Sequence, residues 1–152
     1  MRDADADTVR PLRHLVLRPG RPESTARFVI DHNAATWHLA AFAGERVVGV
    51  VTFFPEPYPS VPESRAERFR SMAVDEAWRG RGIGTLLMRE AARRLHERGV
   101  ELTWAHGRDS ALGFYESLGF RVEGDMFIDP DTDIPHHNVV VEVDALLEHL
   151  ES

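Results

Sequence analysis

The hexapeptide Arg79-Gly80-Arg81-Gly82-Ile83-Gly84 combines the two requirements of an anion site, a backbone that can curl tightly and positive charge beside it. Glycines at alternate positions carry no Cβ, so the chain can close around a ligand. A helix pattern begins immediately after them, which brings unpaired N–H donors and the positive end of the helix dipole to the same point. Such a turn suits a phosphate or pyrophosphate. The competing view is a glycine-rich strand-to-helix turn with no ligand. Spacing removes two familiar phosphate loops. No lysine stands near for a P-loop. A dinucleotide fingerprint needs Gly-x-Gly-x-x-Gly, whereas this loop reads Gly80-x-Gly82-x-Gly84.

The pattern that does fit is Arg/Gln-x-x-Gly-x-Gly/Ala, met by Arg79, Gly82 and Gly84. Downstream stands Ser110-Ala-Leu-Gly-Phe-Tyr-Glu-Ser-Leu-Gly-Phe120, containing Phe-Tyr-x-x-Leu-Gly-Phe. With both motifs in this order the chain resembles the GCN5-related N-acetyltransferases, the GNAT superfamily, over residues 36–143. The resemblance implies a mixed α/β fold with a central sheet of about six strands flanked by helices. It implies acetyl-CoA as co-substrate, with the pyrophosphate held by Arg79, Gly80, Arg81, Gly82, Ile83, Gly84 and Thr85, and the pantetheine arm paired to the backbone of Met72, Ala73 and Val74. It also implies that Tyr115 protonates the departing thiolate. A thiol near about 8.5 and a phenol near about 10 are close enough to share a proton as charge develops. The alternative for Tyr115 is a core aromatic.

Many family members carry an asparagine after the strand preceding the second motif. Here the chain reads Trp104-Ala105-His106-Gly107-Arg108, so His106 substitutes as a donor, acts as a base, or faces solvent. An attacking amine must be neutral, and Glu56, Glu67, His106, His136 and His137 are the candidate proton acceptors. Glu67 lies at odd spacing from Val74, which on a regular strand turns it away from Met72 and Val74. Asp133-Ile-Pro-His136 resembles the Ile-Pro-His of ElaA-like members, and an imidazole suits a base at neutral pH. His136 is therefore taken as the base, against a structural hydrogen bond in the last hairpin.

Around these residues the chain supplies the elements that must position them. The apolar residues Val9, Leu12, Leu15 and Val16 recur with helical spacing from Thr8, after a polar stretch 1–7 expected to be disordered. Arg18-Pro-Gly-Arg-Pro22 reads as a turn, and residues 23–34 are ambiguous. Residues 36–42 and 46–54 read as a hairpin of strands. Residues 55–62 hold four prolines and form a stiff surface loop, walling a cleft or merely connecting. A third strand covers 67–74, and the longest helix runs 83–98 with Gly99 ending it. Residues 101–105 form a strand parallel to 67–74 by the handedness of crossovers. A short helix at 110–118, capped by Asp109 or Ser110, two strands at 120–128 and 138–143, and an amphipathic helix from Asp144 complete the chain.

Composition bounds the partners. The 152 residues, read as one domain, carry 43% hydrophobic residues and a net charge of −7, which disfavours nucleic acid and is compatible with a cationic amine. There is no cysteine, which excludes disulfides, thiolate metal sites and a cysteine nucleophile. No secretory leader opens the chain and no run approaches a membrane span, so the expected location is cytoplasmic and no membrane partner is expected. Asp129-x-Asp131-x-Asp133 imitates the start of a calcium loop, but Ile134 and Val140 stand where glycine and glutamate are needed. His136 and His137 point apart and lack a carboxylate at ligand spacing, so no metal is expected. Arg89, Arg93, Arg94 and Arg98 read as a solvated helix face. The sequence thus points to an acetyl-CoA-dependent N-acetyltransferase acting on a small-molecule or peptide amine. The alternative is a non-catalytic acyl-CoA-binding sensor, and edge strands at 120–143 leave a homodimer open.

Overall fold

The computed structural model describes residues 1–17, 19–21, 28–130 and 132–151. The elements are β1 (Arg2–Ala4), α1 (Ala6–Leu17), β2 (Trp37–Ala43), β3 (Arg46–Pro55), β4 (Ala66–Val74), α2 (Ile83–Glu97), β5 (Leu102–Arg108), α3 (Leu112–Ser117), β6 (Arg121–Ile128), β7 (Pro135–Glu142) and α4 (Val143–Glu151). The strands run in the order β1-β2-β3-β4-β5-β7-β6, a mixed α/β architecture as expected, with seven strands rather than six. The extra strand is β1. The first residues, expected to be disordered, pair with β2 from Arg2↔Ala40 to Ala4↔His38. Strand pairing satisfies backbone groups that polar side chains alone could not order.

The chain divides into two compact units, residues 1–55 with 69–91 and residues 56–68 with 92–152. In the first, the antiparallel β2–β3 hairpin alternates as a two-sided sheet should. One face carries Ala40 and Val50, which join Val9 and Leu12 of α1 and Ala73 of β4 in a buried cluster. The other carries Gly49, Val51 and Phe53; Trp37 stacks on Phe53 at 4.7 Å, and the start of α2 lies against Gly49. The helix α1 starts at Ala6, two residues before the expected Thr8. The Asp5 carboxylate accepts the Thr8 N–H at 2.8 Å and so caps the first turn.

In the second unit β4 and β5 are parallel, as the crossover argument requires, over Ala66↔Leu102 to Arg68↔Trp104. Strand β7 pairs antiparallel with β5 from Leu102↔Glu142 to Arg108↔His136 and carries β6 on its other edge. The expected 110–118 helix is split: a 3₁₀ turn covers Asp109–Ala111 and the α-helix begins at Leu112, with no side-chain cap from Asp109 or Ser110. Asp109 is instead engaged with His137.

Candidate functional site

The first unit presents the glycine loop. Asp75 fixes where it leaves β4: its N–H donates to Val48 O at 2.8 Å, and its carboxylate accepts from Ala77 N–H at 3.0 Å and from Arg46 at 2.6 Å. The Arg46 guanidinium, followed by the Ala77 amide, holds the Asp75 carboxyl below its ordinary range. After the 3₁₀ turn Glu76–Trp78, Gly80 and Gly82 both take positive φ, 78° and 75°. A Cβ on either would meet nothing within 4 Å, so glycine is needed for the dihedral and the space around it is open. Arg81 lies over the Trp78 ring at 4.7 Å. The first helical bond of α2 is Leu86 N–H to Gly82 O at 3.0 Å, which leaves the amides of Ile83, Gly84 and Thr85 without an intrahelical acceptor. Directed N–H groups, two arginines and an open approach fit a pyrophosphate.

Strand β4 holds a feature with no mark in the sequence. Ser71 has φ 59°, a left-handed conformation for a residue with a side chain. Its effect appears in the neighbours. Phe69 packs on Phe53, on the α2 side of the sheet, at 5.4 Å, whereas Ala73 joins the α1 cluster on the opposite side. Residues four apart on a regular strand share a face, so Ser71 switches the parity. Alternation about Ala73 then puts Met72 and Val74 on the face of Phe69 and Glu67. The expectation that Glu67 points away from Met72 and Val74 is thereby corrected. Glu67 itself is buried, with Arg98, just past the end of α2, at 3.4 Å.

The second unit presents Tyr115. Its ring lies on the backbone of Gly107: a Cβ there would stand 3.3 Å from Tyr115 Cε2 and 3.2 Å from Val139 Cγ1. The ring also meets Phe114 and Phe120 edge-on. Burial pushes the Tyr115 hydroxyl up to about 12. Gly107 pairs with His137, so the His137 side chain leaves the sheet on the face that carries Tyr115. His137 Nδ1 is 2.7 Å from Asp109 Oδ1.

The opposite face of β5 and β7 carries Trp104, His106 and His136. Arg68 Nη2 donates to His106 Nδ1 at 2.9 Å, while Arg68 Nη1 reaches Glu56 Oε2 at 3.3 Å. A guanidinium only donates, so His106 Nδ1 is the acceptor and its proton sits on Nε2. The Asp129 carboxylate lies 3.9 Å from His106 Nδ1 and 4.0 Å from His136 Nε2. His136 is 3% exposed, its Nδ1 bonds Ile134 O at 2.8 Å, and its ring stacks on Phe127. That is the hairpin bond named as the competing role for His136. Both adjacent histidines do have carboxylates close by, Asp129 and Asp109, because the fold supplies partners that sequence spacing could not.

Two further residues escaped the sequence analysis. Tyr58, inside the proline loop, is buried; its ring packs at a tilt against Trp104, 5.2 Å between centroids, and its hydroxyl donates to Glu123 at 2.6 Å. Trp104 Nε1 donates to Glu56 O at 3.0 Å. The loop is thus fastened to the wall that holds His106. Its partner Glu123 is 65 residues away in sequence, and no local pattern announces such a bond. Arg18 and Pro22 of the predicted turn, residues 23–27 of the ambiguous 23–34 stretch, and Asp131 of the calcium-like run lie outside the described residues.

Comparison with known proteins agrees with this geometry. The acetyltransferase (GNAT) domain family matches residues 28–122. The uncharacterized N-acetyltransferase YitI of Bacillus subtilis is 32% identical over 116 residues, 76% of this chain and 78% of that protein. Among solved structures, an aminoglycoside 6'-N-acetyltransferase complexed with coenzyme A superposes with a TM-score of 0.73 at 17% identity, covering 94% of this chain and 97% of that one. ElaA of Escherichia coli gives 0.67 at 17% identity, covering 91% and 96%. At that identity the two structures speak for the fold alone, whereas the domain match and YitI carry the family: the chain belongs to the GCN5-related N-acetyltransferases.

Proposed function

We propose that the protein transfers the acetyl group of acetyl-CoA to a primary amine of a small molecule or peptide. The observation that carries this reading is the Arg79–Gly84 loop, where two glycines at positive φ open onto the first amides of α2 beside two arginines. Those amides and arginines would hold the pyrophosphate, and the backbone of Met72, Ala73 and Val74 would pair with the pantetheine arm. The ammonium of the acceptor first gives one proton to water; the neutral nitrogen then attacks the acyl carbon, the carbon–nitrogen bond forms as a second N–H proton leaves to water, and the carbon–sulfur bond breaks with its electron pair going to sulfur. Tyr115 gives its hydroxyl proton to that sulfur. Attack is direct because the chain has no cysteine to carry an acyl group. We place the acceptor on the face of Trp104 and His106, where Glu56 and Asp129 favour a cationic amine. His106, with its proton on Nε2, serves there as a donor and not as a base.

The test is calorimetric titration with acetyl-CoA and CoA, on the wild type and on Gly82→Glu, with turnover measured on Tyr115→Phe. Micromolar binding lost in Gly82→Glu, and a kcat lowered by about 10²–10⁴ in Tyr115→Phe with unchanged CoA affinity, are expected. Tight binding with no turnover on any amine would favour a sensing domain instead. The chain contains no lysine, so acetyl label retained by the protein cannot come from a lysine of its own.

A further inference from the structure

The glycine loop of the first unit contains a ring that its role as a diphosphate cradle leaves unexplained. Trp78 closes the 3₁₀ turn Glu76–Trp78, and its backbone is fixed from behind. Its N–H donates to Asp75 O at 2.8 Å, and the Asp75 N–H donates to Val48 O at 2.8 Å. Gly80, at φ 78°, then turns the chain, and the side chain of Arg81 comes back over the indole with Cζ 4.7 Å from the ring centroid. Trp78 is half-buried and Arg81 is exposed. Among the described residues the indole is the partner of the Arg81 side chain, and no carboxylate lies within ion-pair distance of it. The nearest acid along the chain that could compete, Asp75, already meets Arg46 at 2.6 Å. Arg79 has no ring beneath it. Arg81 also stands between two glycines at positive φ, where the backbone is least restrained, so a long side chain there has much freedom to lose on meeting an anion. A guanidinium held by its face on a ring keeps its N–H edge for such an anion.

We propose that Trp78 is a positioning residue for the co-substrate, the ring on which Arg81 is held ready for the diphosphate. This rests on the acetyltransferase reading above. The indole restricts the guanidinium before the ligand arrives, so less side-chain freedom is lost when the anion binds. Trp78 touches neither the diphosphate nor the reacting atoms; it acts through Arg81. Its contribution therefore belongs to affinity and not to the chemical step, and it is specific to Arg81. Arg79, which no ring restrains, meets the same anion without this help.

The experiment is calorimetric titration with acetyl-CoA and with ADP, which carries a diphosphate but no pantetheine. Trp78→Leu keeps apolar bulk without a π face, and it is expected to weaken both ligands about 3–10-fold, a part of the rotamer entropy of arginine. Trp78→Phe keeps the face and should stay within about twofold of the wild type. Arg81→Ala, at an exposed position, should weaken both ligands about 10–100-fold, the range of a lost charged hydrogen bond. The double variants carry the decision. Trp78→Leu should cost nothing further in the Arg81→Ala background and its full amount in the Arg79→Ala background. Turnover at saturating acetyl-CoA should be unchanged in Trp78→Leu, because the lost help is the same for ground and transition states. Wild-type affinity in Trp78→Leu or in Arg81→Ala overturns the proposal, and so does an equal loss with and without Arg81, which marks a structural tryptophan. A gain of affinity in Trp78→Leu also overturns it, since the ring would then be holding Arg81 away from the ligand. All these outcomes leave acetyl-CoA binding by the wild type intact. A wild type that binds neither acetyl-CoA nor ADP overturns the parent reading, and the role of Trp78 falls with it.

Discussion

Tyr115 reaches its place through a residue that has no side chain. Gly107 leaves the β5 backbone bare where the aromatic ring approaches it, and a Cβ at that position would crowd Val139 at 3.2 Å and Tyr115 at 3.3 Å. Those distances are tight without being impossible, so a methyl group there forces a displacement of a few tenths of an ångström. Gly107→Ala should therefore cost about 1 kcal/mol of stability, at the low end of overpacking. It should lower kcat several-fold because the phenol moves, while acetyl-CoA affinity measured by calorimetry stays the same. A variant that loses affinity and turnover in equal proportion would show that Gly107 serves binding instead. In the sequence Gly107 was visible only as a neighbour of His106. A glycine needed for close approach, with no positive φ and no turn, resembles any other glycine until the ring above it is placed.

At the scale of elements, the long helix and its loop were legible, since a stripe of apolar residues and a run of glycines are local patterns. What fixes the helix on the sheet was not. Gly49 of β3 lies under the first turn of α2, and a Cβ there would stand 2.6 Å from Ile83 Cγ2 and 3.1 Å from Leu87 Cδ1. Ile83 Cγ2 branches directly from Cβ, so it cannot swing clear without the helix start moving. Gly49→Ala should destabilise by about 1–3 kcal/mol and shift the amides of residues 83–85 away from the strand. Acetyl-CoA affinity should fall even though Gly49 is not among the residues proposed to hold the co-substrate. Gly80→Ala provides the comparison: its surroundings are open, but its φ of 78° strains any side chain by about 1–2 kcal/mol. Equal affinities for wild type and Gly49→Ala would sink this account of how the loop is seated. Ser71 shows the reverse difficulty. Alternation placed Glu67 on the wrong face because one residue at positive φ inverts the parity beyond it, and serine in that position has no compositional signature.

For the molecule as a whole, acid stability is set in part by a buried polar cluster in the first unit. Arg13 and Asp31 have side chains 1% exposed each and are joined at 2.8 Å; Arg13 also donates to Thr52 Oγ1 at 2.9 Å, which in turn pairs with His38 Nδ1 at 2.8 Å. Burial alone would raise Asp31, but the bond and charge of Arg13 outweigh it and hold the carboxyl below 3.8. Burial lowers His38 below 6.5. Both depressed groups bind protons more readily in the unfolded chain, so their stabilisation is complete above the unfolded values and is lost as pH falls. The His38 share starts to go below pH 6.5 and the Asp31 share below 3.8. Periodicity could not find this cluster, because Arg13 lies inside an amphipathic helix pattern where arginine normally faces water. Removing one partner leaves the other charge buried without its counter-ion, so Arg13→Met and Asp31→Leu should each cost about 3–5 kcal/mol, whereas the double variant should recover most of the loss. Urea midpoints at neutral pH measure this directly. Additive single costs in the double variant would mean that the pair contributes by packing and not by charge.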